Sequence, residues 1–132
     1  YSRPLLPVLG QVIVVKLIQK IFDNWPAVIS VNGINIIPQE NNEVIIGATL
    51  EKGINPNLNL LEKLQSIEGE APSWLTKAKI INNWYGIRAR PEGRNSPLLE
   101  KLESNLILAT GHYRNGILLA PATAEWILKN IS

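Results

Sequence analysis

Apolar and polar positions alternate in blocks along the first half of the chain. Apolar runs rich in β-branched residues fill residues 10–18, 27–39 and 43–51, which indicates strands. A polar cluster at residues 40–42 separates the last two runs, and clusters of this composition favour turns. The pattern therefore predicts one strand followed by an antiparallel hairpin.

A helix is predicted after the hairpin, over residues 54–69. Apolar residues recur there at the spacing of one helix face: Leu58, Leu61, Leu64 and Ile67. Asn55 is the expected N-cap, Pro56 fits the first helical position, and Gly69 is the expected stop.

Two more strands and a second helix are predicted in the second half. The sequence favours a strand over 78–90, a loop over 90–97 and a strand over 105–111. This last strand leads through a glycine-bounded turn into a helix over 117–131. Apolar residues recur along one side of that helix: Ile117, Ala120, Ala124, Ile127 or Leu128, and Ile131.

The order of these elements indicates an α+β fold. Antiparallel strands packed against a helix account for residues 1 to about 90. The last strand, turn and helix are half of a β-α unit of the kind found in parallel sheets, and the chain offers no partner for them. We therefore expect this strand and helix to expose apolar surface and to favour self-association or strand exchange between chains.

Composition narrows the class of protein. The 132 residues are 45% hydrophobic, which suits one soluble domain or part of a larger one. The net charge is +2 with no basic run, and no apolar run reaches about 18 residues, so neither nucleic acid binding nor a membrane span is expected. The absence of cysteine excludes disulfides and thiol catalysis, and with one histidine no metal site is expected. We expect a cytoplasmic protein.

Two places combine residues suited to binding a ligand. Gly111 and Gly116 let the backbone of the turn between them approach a flat ligand, and the start of the following helix attracts electron-rich atoms. An ordinary strand-to-helix turn is the alternative. Arg88 lies inside an apolar strand, where an unpaired guanidinium is costly. Its side chain should therefore reach solvent, pair with a carboxylate or bind an anionic ligand.

Four segments of the chain resemble a single protein family. They are PVLGQ (7–11), IIPQENNEVIIGATLE (36–51), WYGIRARPEG (84–93) and GHYRNGILLAPATAE (111–125). Together they resemble the D-amino acid oxidase superfamily, in particular its glycine oxidase branch from thiamine biosynthesis. The last segment is the most specific of the four, and the resemblance covers roughly residues 5–130.

The resemblance implies a set of site residues. Arg88 matches the arginine that binds the substrate carboxylate, and Arg114 matches a residue on the substrate side. The run that lies along the flavin ring of FAD is matched by His112, Tyr113, Arg114, Asn115, Gly116, Ile117 and Leu118. The implied reaction is hydride transfer from the α-carbon of glycine or a related small amine, which yields a keto acid, ammonia and hydrogen peroxide. No catalytic acid or base is implied.

The resemblance also implies two functional parts. Residues 1–97 match the substrate-binding domain, and residues 98–132 match the C-terminal β-α segment of an FAD-binding domain of the Rossmann type. The chain contains no G-x-G-x-x-G turn to hold the pyrophosphate. We therefore expect it to be the C-terminal part of a longer oxidase, inactive and without FAD by itself, and a homo-oligomer or strand-exchanged dimer.

Several positions leave the substrate open, because they depart from the family pattern near its substrate pocket: Asn35, Gln39, Leu50 and Ala89. A relative of sarcosine oxidase or of D-amino acid dehydrogenase is therefore an alternative. A non-catalytic α+β interaction domain, in which Arg88 forms only an ion pair, is a further alternative from a different class.

Overall fold

A computed structural model describes residues 1–20 and 23–131, and these residues form two compact units. The first, which we call the sheet unit, consists of Leu9–Gly86. The second, which we call the terminal unit, consists of Tyr1–Val8 and Ile87–Ser132. The functional division expected between residues 97 and 98 stays a prediction, whereas the compact units divide between residues 86 and 87.

The chain contains eight strands and three α-helices in its described part. The strands are β1 (Leu5–Lys16), β2 (Ile29–Val31), β3 (Ile34–Pro38), β4 (Glu43–Gly47), β5 (Glu51–Lys52), β6 (Lys79–Pro91), β7 (Leu98–Glu103) and β8 (Leu106–Thr110). The helices are α1 (Leu60–Gln65), α2 (Ser73–Thr76) and α3 (Gly116–Ile131). Short 3₁₀ segments occupy Glu40–Asn42 and Ile67–Gly69. The fold is α+β, as predicted, and no helix of the described part has the length and apolar character needed to cross a bilayer.

The sheet unit contains the predicted hairpin. Strands β3 and β4 pair antiparallel, and the sheet has the order β2-β3-β4-β1-β5, with β6 also pairing with β1. The run predicted as one strand over 27–39 contains two strands, because the chain reverses at Asn32 and Gly33. Both residues have a positive φ, 51° and 77°, which is the backbone geometry of a tight hairpin turn.

A row of isoleucines crosses four strands of this sheet. Ile46 on β4 stands opposite Ile13 on β1 and opposite Ile36 on β3, and Ile36 in turn stands opposite Ile29 on β2. The buried core cluster is built around this row: Ile13, Val15, Leu17, Ile34, Ile36, Val44, Ile46, Leu64, Ile67, Leu75 and Ala78. The apolar alternation of the strands thus places one face of the sheet in the core.

The predicted start of the first helix is wrong. Helix α1 begins at Leu60, so Asn55 and Pro56 are neither its cap nor its first residue. A hydrogen bond to a residue six positions earlier explains the late start of α1, because the backbone N–H of Asn57 donates to a carboxylate oxygen of Glu51 at 2.8 Å. This bond holds the chain near residue 57 in a loop instead of a helical turn.

The predicted apolar face of this helix is correct only in part. Leu64 and Ile67 are buried in the core, whereas Leu58 is 63% exposed because it precedes the helix. The helix ends at Gln65, and Gly69, the predicted stop, ends the 3₁₀ segment with a φ of 99°.

The terminal unit contains a hairpin and the long helix α3. Strands β7 and β8 pair antiparallel, with Leu98 opposite Thr110. Strand β8 and helix α3 occupy their predicted places, whereas β7 lies in a stretch for which no element is predicted. The helix exposes much of its predicted apolar side, as expected, with Ile117 95% and Leu128 70% exposed. Its buried residue is Thr123, on a different side.

Candidate functional site

All the predicted site residues lie in the terminal unit. Arg88 is on β6, and the run 112–118 covers the turn between β8 and α3 together with the first residues of that helix. Contacts join this turn to the end of β6 and to α3.

Arg88 is partly buried, and its Nη1 atom is buried with no hydrogen-bond partner among the described residues. None of the salt bridges found in residues 1–20 and 23–131 includes it. A buried polar nitrogen without a partner is costly, and a carboxylate is the group that a guanidinium binds best. Of the three predictions for Arg88, the ion pair is absent from the described residues, whereas contact with solvent and binding of an anionic ligand stay predictions.

The turn before α3 has an unusual backbone. Gly111 and Tyr113 both have a positive φ, 65° and 54°, and the N–H of Asn115 donates to the carbonyl of His112 at 3.0 Å to close the turn. A positive φ is rare for a bulky side chain such as tyrosine and persists only where neighbouring groups hold it. Contacts with neighbouring groups must therefore stabilise the turn, because the backbone conformation of Tyr113 is unfavourable by itself.

Contacts on two sides hold this turn. On one side, the guanidinium carbon of Arg90 lies 5.6 Å from the centroid of the Tyr113 ring. Pro91, the next residue, packs so tightly on Gly111 that an added Cβ there would lie 2.6 Å from its Cγ. On the other side, His112 Nε2 lies 2.8 Å from Thr123 Oγ1 on α3.

The end of β6 therefore brings Arg88 to the neighbourhood of the turn. Residues two apart on a strand share a face, so Arg88 lies on the same face as Arg90, whose side chain contacts Tyr113. Arg114 is exposed, and no described hydrogen bond or ion pair joins it to another residue. Sequence reasoning did not single out Arg90, although its spacing of two from Arg88 was a visible signal.

The start of α3 presents backbone donors that have no acceptor within the helix. The first bond along the helix runs from the N–H of Leu119 to the carbonyl of Asn115 at 2.9 Å. The preceding N–H groups, those of residues 116–118, have no partner within a helix and carry part of its positive dipole charge. A Cβ added at Gly116 would meet nothing closer than His112 Cβ at 3.8 Å. A flat, electron-rich group can therefore approach this backbone closely.

Comparisons with known proteins give the family of the chain and several similar proteins. The sequence matches the family described as FAD dependent oxidoreductase over residues 1–129. Glycine oxidase of Pseudomonas putida is 33% identical over 128 residues, which cover 92% of this chain and 34% of that protein. The bifunctional protein ThiO/ThiG of Trichormus variabilis is 42% identical over 100 residues, which cover 71% of this chain and 15% of that protein.

A solved structure gives the same picture at the level of the fold. The crystal structure of glycine oxidase from Geobacillus kaustophilus matches with a TM-score of 0.77 and 28% sequence identity. The match covers 98% of this chain and 36% of that chain. The chain thus spans about a third of the length of the glycine oxidases that it matches.

Proposed function

Because the chain belongs to the family of FAD-dependent oxidoreductases, we propose that the whole protein oxidises glycine or a closely related small amino acid. The glycine oxidases among its relatives support this substrate class. The products are then an imine that water hydrolyses to a keto acid and ammonia, with hydrogen peroxide formed from dioxygen. We place this activity in thiamine biosynthesis, on the resemblance to the branch that serves that pathway and on the ThiO/ThiG relatives.

The observation that carries the proposal is the unpartnered nitrogen of Arg88. A guanidinium binds a carboxylate through two parallel hydrogen bonds, which fixes both the position and the orientation of the carboxylate. Arg88 therefore fixes the orientation of the bound amino acid, including that of its α-carbon. Arg114, exposed in the turn, adds positive charge on the substrate side.

The residues of the turn fit the ring of FAD. We assign contact with the ring to the backbone of residues 112–118, where Gly116 permits close approach and the N–H groups of 116–118 have no acceptor within the helix. When bound, FAD supplies the acceptor for the hydride of the α-carbon and the route by which its electrons reach dioxygen. The amide N–H groups stabilise negative charge on an adjacent ring, because they are fixed donors at the positive end of a helix.

Three wider assignments stay predictions. They are homo-oligomerisation, a cytoplasmic location, and the division into a substrate-binding part (1–97) and a segment of the FAD-binding domain (98–132). The proposed activity does not depend on any of them, since Arg88 and the turn lie in one compact unit.

The test is a substrate profile of the whole protein purified with FAD. Peroxide release is measured with glycine, sarcosine and D-alanine, and we expect glycine to give the highest kcat/KM. Replacing Arg88→Met should lower kcat/KM about 30-fold or more, because removing one member of a buried charge pair costs about 2–5 kcal/mol. Arg88→Lys should restore only part of this, since lysine binds carboxylates without the two-pronged geometry.

The matched control is Arg94→Met. Arg94 lies in the same unit but pairs with Glu100, so kcat/KM should not change. Faster oxidation of sarcosine would favour a sarcosine oxidase, and reduction of an artificial acceptor without peroxide would favour a dehydrogenase. Failure to oxidise any of the three amines would contradict the proposal and favour a non-catalytic interaction domain.

A further inference from the structure

We propose that Arg90 is a positioning residue of the same site. Its guanidinium holds the ring of Tyr113, and thereby fixes the turn at residues 111–115 against the strand that carries Arg88. This inference rests on the proposed function. It adds to that function the contact that sets the distance between Arg88, the carboxylate-binding group, and the turn.

The first argument is the contact itself. The guanidinium carbon of Arg90 lies 5.6 Å from the ring centroid of Tyr113, within the range in which a cation is attracted to an aromatic face. Arg90 is exposed, and none of the ion pairs found in the described residues includes it. Its positive charge is therefore available to the ring of Tyr113, since no carboxylate of the described residues forms a salt bridge with it.

The second argument is the backbone of Tyr113. This residue has a φ of 54°, a conformation that costs free energy for a side chain of its size. A contact that fixes its ring opposes relaxation to an ordinary backbone conformation. Relaxation would also move the carbonyl of His112 and the N–H of Asn115, which close the turn.

The third argument is the order of residues along β6. Arg88 is followed two residues later by Arg90, on the same face, and then by Pro91, which packs on Gly111. A single short strand segment thus carries the carboxylate-binding group and both contacts that hold the near side of the turn. The far side is held to α3 by His112 and Thr123.

A specific kinetic signature follows. Without the cation at position 90, Arg88 still binds the substrate carboxylate, so the KM for glycine should change little. The turn, however, becomes free to shift, and a misplacement of about 1 Å between reacting groups can cost up to about 100-fold in rate. We therefore expect kcat to carry the loss.

The experiment compares Arg90→Gln, Arg90→Lys, Tyr113→Leu and the double variant in the whole protein purified with FAD. The first readout is amide hydrogen exchange at Asn115 and Leu119, whose N–H groups are bonded within the turn and the first helical turn. The second is the separate measurement of kcat and KM for glycine. Arg94→Gln is the matched control, because it removes an arginine of the same unit that pairs with Glu100.

We expect Arg90→Gln to speed exchange at Asn115 about two- to five-fold, which corresponds to an exposed cation–π contact of about 0.5–1 kcal/mol. The kcat should fall about five- to ten-fold, with KM within about two-fold of the wild type. Arg90→Lys should recover most of both changes. In the Tyr113→Leu background, Arg90→Gln should change neither exchange nor kcat further, because the aromatic ring that the cation contacts is absent.

Other results would overturn the inference. A rise in KM at constant kcat would mean that Arg90 acts on substrate binding, directly or through Arg114, and additive losses in the double variant would mean that it does not act through Tyr113. Unchanged exchange in Arg90→Gln would show that the contact does not hold the turn. If the wild type oxidises no amino acid, the proposed function fails, but the exchange comparison still decides the role of Arg90.

Discussion

The sheet unit and the terminal unit differ in where they place their apolar residues. The core cluster lies entirely in the sheet unit, whereas Leu98 is the one buried large apolar residue that the described part of the terminal unit contributes. The terminal unit instead exposes apolar residues along α3, and it carries every candidate site residue. Burial of apolar surface stabilises the sheet unit, so the two units should respond differently to substitution.

One buried charged group in each unit gives a second contrast, although each unit also has one buried polar atom without a partner among the described residues, Gln11 Oε1 in the sheet unit and Arg88 Nη1 in the terminal unit. In the sheet unit, both oxygens of Glu51 accept hydrogen bonds, from Gln11 and Thr49 on one side and from the Asn57 N–H on the other. In the terminal unit, Arg88 has a buried nitrogen without a partner among the described residues. A carboxylate whose two oxygens both accept hydrogen bonds stabilises the fold, whereas a guanidinium with an unpartnered nitrogen is suited to binding a ligand.

The largest expected effect is on the core of the sheet unit. Ile46 is fully buried, so Ile46→Ala should lower the free energy of unfolding by about 4 kcal/mol, within the usual range for such a truncation. Ile18→Ala is the matched control, because Ile18 lies in the same unit and is 88% exposed, and it should cost less than about 0.5 kcal/mol. Urea unfolding measures both. Equal losses would mean that the sheet unit has no dominant core.

A smaller effect is expected at the turn of the terminal unit. Gly111→Ala should cost about 3 kcal/mol, because its φ is 65° and the new Cβ would lie 2.6 Å from Pro91 Cγ. Gly93→Ala has nearly the same φ, 64°, with no atom within 4 Å, so it should cost only about 1 kcal/mol. Urea unfolding of both variants isolates the contact with Pro91. If the two losses were equal, that contact would not hold the turn.

The smallest effect concerns the pH dependence of stability. Burial raises the pKa of the Glu51 carboxyl, but hydrogen bonds from Thr49, Asn57 and Gln11 outweigh burial and leave the pKa below its ordinary value. A lowered pKa stabilises the fold above the unfolded value of about 4.3, and this stabilisation is lost as the pH falls through the folded pKa. Glu51→Gln should therefore cost about 1–2 kcal/mol at pH 7 and progressively less in acid.

Glu100 in the terminal unit provides the contrast. The Arg3 guanidinium, bonded to it at 2.6 Å and joined by Arg94, holds the pKa of the Glu100 carboxyl below its ordinary value. Glu100, like Glu51, stabilises the fold at neutral pH, but its contribution arises from ion pairs. About 1 M salt should therefore weaken the contribution of Glu100 and leave the contribution of Glu51 unchanged. Acid titrations of Glu51→Gln and Glu100→Gln, at low and high salt, would measure this. Equal salt sensitivity would contradict the distinction.

The strands could be predicted from the sequence because their signals are local. The apolar run around Ile46 and the polar cluster at 40–42 specify the hairpin by themselves. The start of α1 could not be predicted in this way. Asn55 and Pro56 form a proper helix start, but the Asn57 N–H is bonded to Glu51, and a buried carboxylate six residues away leaves no periodic pattern.

The candidate site was predictable only in outline. Arg88 and the turn stand out because a charge in an apolar strand and two glycines before a helix are local anomalies. Arg90, Pro91 and Thr123 do not stand out, since each matters through a contact with the turn that only the folded chain creates. Strand β7 was missed for a similar reason, because its pairing with β8 defines it better than its own mixed pattern of residues.

The row of isoleucines across β1, β4, β3 and β2 restricts how this part of the chain can change in evolution. Deleting or inserting a single residue within β3 or β4 would turn Ile36 or Ile46 to the opposite face of the sheet, because side chains alternate along a strand. Length variation among homologous chains should therefore be confined to the reversals at 32–33 and 40–42, while the strands between them vary only by substitution.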